Sequence, residues 1–188
     1  MPETTTLHEA RTALSVVSAR TERLLQSLPA TDRAIARSTW TVREAAVHLS
    51  LVGFRYAGIL LGESNRYPSL DPEACARLHE QQNADIPESD PVKLAGLLHE
   101  ATARLLAATG SCHDTHEVPF HGGTVIAVPH LVGAAVAEHL LHSSDIALAV
   151  GRPWPIDPRH AALALCSSGP SYGLGCPSAS QSRERNIT

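Results

Sequence analysis

The segment from Val128 to Val150 constrains this chain more than any other. It is apolar on almost every face, yet it carries Glu138, His139, His142 and Asp145. Pro129 can occupy the first turn of a helix there, Gly151 can end it, and Pro153 forbids its continuation. A helix that is apolar nearly all round is a buried one. A carboxylate and an imidazole at its centre need a partner, because an unpaired buried charge is costly. Glu138 and His142 stand at i and i+4, so they share a face with Cβ atoms roughly 5–6 Å apart. That face lies between Leu131, Ala135 and Ala149 and points inward.

A second helix offers the partner. Thr41-Val42-Arg43-Glu44 has the form of a capping box, which predicts a helix running to about Gly62. His48 shares its face with Ala45, Leu51, Val52, Arg55 and Ile59, again mostly apolar. Helices in a bundle pack about 8–10 Å apart, so His48 can meet Glu138 and His142 across a core. Two histidines and one carboxylate form a common catalytic zinc set that leaves positions open for water or substrate. Neutral imidazole nitrogens and an anionic oxygen suit a borderline divalent ion.

Other pairings compete. His139 and His142 are three apart but on different faces, and Glu44 and His48 are four apart, although capping explains Glu44 better. His113, His116, His121 and His130 fall in or beside a hairpin and are expected to face solvent. Asp145 can orient a ligand from outside the coordination sphere or simply face water. Arg55 can receive an anionic substrate or pair with a nearby carboxylate. An ion-paired bundle that binds no metal is also open.

The rest of the chain frames these two helices. A first amphipathic helix is expected from about Thr6 to Leu28, and a third bundle helix from Lys93 to Ala108. Between them, Glu63 to Pro91 is broken by prolines, with a short helix between Pro72 and Gln82. HEVPF-HGG-TVIAV reads as a small hairpin around His121-Gly122-Gly123. The fold class is therefore all-α, a four-helix bundle with a small β-hairpin before the last long helix. Residues 1–156 form the metal-binding bundle domain, and residues 157–188 a short helix over Arg159–Leu165 followed by a disordered tail from Cys166 on.

Composition narrows the function. Aromatic residues make up only 4% of the chain, and alanine and leucine dominate the apolar set, which favours helices over a β-sandwich. The net charge of -4 has no basic stripe, which argues against a nucleic-acid partner. No apolar run is long enough to cross a bilayer, no signal-peptide core is visible, and the four cysteines form no CxxC pair. A cytoplasmic location with reduced thiols is expected, and Cys166 and Cys176 receive no role. The apolar faces left over on the last helix point to a homodimer.

Two motifs carry a resemblance. Ser38-Thr39-Trp40-Thr41-Val42-Arg43-Glu44-Ala45-Ala46-Val47-His48-Leu49 resembles the opening signature of the DinB-like metalloprotein superfamily. Glu138-His139-Leu140-Leu141-His142-Ser143-Ser144-Asp145-Ile146-Ala147, with Ala149 to Trp154 after it, resembles the second signature, about 90 residues on. Within the superfamily the chain is most similar to the N-terminal domain of mycothiol-dependent maleylpyruvate isomerases, over roughly Thr6 to Ile156. The resemblance implies His48, Glu138 and His142 as ligands of a divalent metal, zinc by preference. It implies mycothiol as a thiol co-substrate and an isomerase or S-transferase acting on a small electrophile. The isomerases carry a further C-terminal domain that helps complete their site, and this chain has a short tail after Ile156. A non-catalytic metal-binding bundle with a binding or regulatory role is the rival expectation.

Overall fold

A computed structural model of the chain describes residues 5–36, 38–63, 67 and 71–167. Six helices and one hairpin follow in order: α1 (Leu7–Gln26), α2 (Val42–Leu60), α3 (Pro72–Asp85), α4 (Pro91–Ala108), β1 (Glu117–Pro119), β2 (Val125–Ala127), α5 (Val128–Ala149) and α6 (Pro158–Ser167). Four long helices make the bundle. Each packs on two others, in the ring order α1–α4–α2–α5, so α2 and α5 are neighbours.

Local chemistry sets the ends of the elements. Thr41 caps α2, its side chain accepting from the Glu44 N–H while Glu44 Oε2 accepts from the Thr41 N–H at 2.7 Å. Thr6 and Glu9 form the same box at the start of α1, a signal the sequence reading passed over. Asp90 caps α4, and Pro91 and Pro129 stand in first turns, where the missing N–H costs nothing. Gly151 follows α5 with φ of 70°, a left-handed conformation that stops the helix. The hairpin pairs Glu117 with Ala127 and Pro119 with Val125.

Two apolar clusters make up the core. One gathers Leu14, Val17, Val52, Tyr56, Phe120, Leu131 and Ala135 from α1, α2, the hairpin and α5. The other gathers Leu24, Leu25, Val42, Leu49, Leu98 and Ile146. His48 is flanked in sequence by Val47 and Leu49 of the second cluster, and Glu138 by Val136 and Leu140 of the first. Helices α2 and α4 come close at Gly53, where an added Cβ would stand 3.0 Å from the Ala101 backbone.

Three expectations change. The helix expected between Pro72 and Gln82 runs on to Asp85. The last long helix is not buried all round, since Leu141 and Leu148 are exposed. The short helix expected over Arg159–Leu165 extends to Pro158–Ser167 and packs on α5, with Ser167 against Gly133. The tail from residue 168, with Cys176, lies outside the described residues. Among the described residues no helix is long and apolar enough to cross a membrane.

Candidate metal centre

Helices α2 and α5 bring together the three residues that the two motifs single out. His48 Nε2 lies 3.4 Å from Glu138 Oε2, and His142 Nε2 lies 3.2 Å from the same oxygen. One ligand atom from each residue falls within 4.8 Å of the other two. Ligands at 2.0–2.1 Å from a tetrahedral ion stand about 3.3 Å from one another. Two of the three contacts have the length of such an edge, and a set of two imidazoles and one carboxylate is chemically suited to a divalent ion.

The electrostatics suit a cation. Burial pushes the His48 imidazole below its ordinary value, against the pull of Glu138, so its neutral form is favoured. Burial alone would raise the Glu138 carboxyl, but hydrogen bonds from His142 and His48 outweigh it and hold the group below the usual carboxylate range. A carboxylate facing neutral imidazole is the protonation state that metal binding needs.

Trp40 packs beside both imidazoles, with its ring centroid 4.9 Å from His48 and 5.5 Å from His142. The chain before α2 places it there. Ile35 N–H donates to the Trp40 carbonyl at 2.9 Å, and Val42 N–H to the Arg33 carbonyl at 2.9 Å. The capping box starts α2, and these backbone bonds hold Trp40 one residue before the cap.

His48, Glu138 and His142 line a pocket of about 560 Å³ together with Arg55, Tyr67, Cys75, His79 and His121. That volume falls within the range of small-molecule sites. Helix α3 forms one wall. His79 packs edge-on against His48 at 4.7 Å, and its Nε2 lies 2.9 Å from the Tyr67 hydroxyl. Tyr67 stacks on His121 at 4.5 Å and gives its backbone N–H to His121 Nδ1 at 2.9 Å. Burial pushes the Tyr67 phenol up to about 12, and burial, then the neighbouring Arg55 charge, brings His121 down to about 4.

The competing pairs resolve differently. His139 is buried on the core side of α5, its Nδ1 without a partner, and stands apart from the ligand group. Glu44 serves the cap. His121 corrects an expectation: it is 3% exposed and lines the pocket instead of facing solvent, because Phe120 and Tyr67 sandwich its ring. His113 is exposed, and His116 and His130 are half-buried. Asp145 is half-buried and hydrogen-bonds none of His48, Glu138 and His142. Arg55 pairs with no carboxylate among the described residues; its Nη2 donates to Gln82 Oε1 at 2.8 Å. Sequence reasoning missed Tyr67, His79 and Gln82. Tyr67 sits in an aperiodic stretch, and α3 is polar on most faces, so no pattern marks its inner side.

Fold and site together define a helical bundle with a two-histidine, one-carboxylate face on the wall of a pocket. Among solved structures the chain has the fold of mycothiol-dependent maleylpyruvate isomerase, with 18% identity and a TM-score of 0.58 over 74% of this chain and 60% of that one. A histidine-to-alanine mutant of that isomerase aligns with 17% identity and a TM-score of 0.65, over 86% of this chain and 67% of its own. The chain thus spans 60% of the length of the first of these structures. No family model and no curated protein matches it.

Proposed function

We propose that this chain is a metal-dependent enzyme that uses a low-molecular-weight thiol, mycothiol, to act on a small electrophile as an isomerase or S-transferase. One observation carries the reading: His48, Glu138 and His142 converge within 4.8 Å on the wall of a pocket of about 560 Å³. The fold it shares with a mycothiol-dependent isomerase supports the choice of thiol.

In this reading the three side chains hold one divalent ion, zinc by preference. When bound, the ion supplies a Lewis acid that favours thiolate over thiol at neutral pH. The chain's own residues do the rest. Trp40 keeps both imidazoles in place, Leu141 and Val52 give the pocket apolar walls, and Arg55 presents a cation to the bound electrophile. Asp145 is assigned a positioning role, acting through water.

The test is thiol turnover. Zinc-loaded protein is incubated with mycothiol and either maleylpyruvate or chlorodinitrobenzene, following cis-to-trans conversion and thiol loss. Metal-dependent turnover of either substrate supports the reading. A zinc-loaded protein that turns over neither is a metal-binding module, and the enzyme reading falls.

A further inference from the structure

Arg55 is an unusual group to find inside this bundle. Its residue is 7% exposed, and its neighbours in contact are neutral: the Gln82 amide oxygen at 2.8 Å, and the Tyr67 ring, 4.1 Å below the guanidinium carbon. No carboxylate pairs with it among the described residues. A buried cation without an anion is costly to the fold, and folds keep such groups where a ligand completes them. Arg55 lines the same pocket as the metal-binding face.

We infer that Arg55 anchors an anion subsite in this pocket, which takes a carboxylate of the substrate, with the His121 Nε2–H as a second donor. The inference rests on the proposal that the pocket is an active site, and names the class of electrophile it takes. Three observations support it. The guanidinium is a planar fork whose spacing matches a carboxylate. His121 Nδ1 accepts the Tyr67 N–H, so the proton of the neutral ring sits on Nε2. His121 is brought down to about 4, chiefly by burial, so it faces the pocket as a neutral donor beside the Arg55 charge.

The placement also limits the ligand's shape. His48 and Arg55 are two turns apart on α2, about 10 Å along its axis. The carboxylate is therefore set away from the atom that meets the metal, and the two belong to different ends of the molecule.

Calorimetric titration of the full chain with fumarate and with fumaramide tests this, because the two share a skeleton and differ in charge. Each titration is run as purified and again after chelation, with metal content measured on the same samples. Fumarate is expected to bind at least tenfold more tightly than fumaramide, before and after chelation. Arg55→Gln should abolish the preference without changing metal content, and Arg55→Lys, which keeps the charge, should restore part of it. Equal binding of the two compounds by the wild type overturns the inference, as does a preference that survives in folded Arg55→Gln. A preference that disappears on chelation places the carboxylate on the metal, which overturns the subsite and leaves the metal reading standing. A preference that depends on Arg55 in a protein that never takes up metal keeps the subsite and removes the proposed enzyme.

Discussion

His48 Nε2 on α2 and Glu138 Oε2 on α5 lie 3.4 Å apart, although 90 residues separate them in the chain. In the proposed reading the contact is two thirds of a ligand set that His142 completes one turn further along α5.

Metal content follows from that set. Wild-type protein purified without added metal should carry about one divalent ion per chain by elemental analysis. His48→Ala and His142→Ala should each bring it to background, because two ligands hold a borderline ion poorly. Unchanged content in both variants would remove the metal centre.

Metal should also stabilise the fold. A ligand that binds only the native state adds about 2.7 kcal/mol at a hundredfold excess over its dissociation constant. For a chain of this size each kcal/mol moves Tm by about 2–4 °C. Zinc added to chelated protein should therefore raise Tm by roughly 5–10 °C, and Glu138→Gln should erase the shift. A melting curve indifferent to zinc and chelator would support an ion-paired core without metal.

Acid should weaken the protein through its buried histidines. His121 titrates near 4 in the folded chain and near 6.5 when unfolded. Between those values the unfolded chain takes up a proton that the folded chain refuses, so stability is full above 6.5 and is lost as pH falls toward 4. The depressed value of His48 acts in the same direction. His121→Asn keeps an acceptor for the Tyr67 N–H but does not titrate, so its Tm should fall less over that window. Parallel Tm profiles for wild type and variant would count against burial as the cause.

The placement of α2 should be sensitive at two points. Thr41→Ala removes the cap and should cost about 1 kcal/mol in urea unfolding. Gly53→Ala forces a methyl against the Ala101 backbone and should cost about 1–3 kcal/mol by pushing α2 from α4. The cap loss should leave zinc affinity nearly intact, whereas the helix displacement should weaken it, because it moves His48.

Much of the bundle was legible because its signals are local. Thr41 and Glu44 announce α2, Pro129 and Gly151 bracket α5, and the i,i+4 spacing of Glu138 and His142 needs only helical geometry. The hairpin was legible from Gly122 and Gly123 between two β-prone runs. His121 was misjudged for the same reason: a histidine at a turn looks exposed unless the rings that cover it are known, and Phe120 and Tyr67 reach it from different parts of the chain.

The linear pattern by itself determined which helices form, and that one face of α2 and one of α5 carry groups too polar for a core. Periodicity and capping act within a few residues, so they are written in the sequence. Only the tertiary structure decided that those faces meet at an edge length suited to a metal, that Trp40 packs against both imidazoles, and that α3 closes the pocket over a cation without a carboxylate. Those relationships depend on how helices cross and on contacts between residues far apart in the chain. Such contacts arise from packing the whole bundle, and no local pattern encodes them.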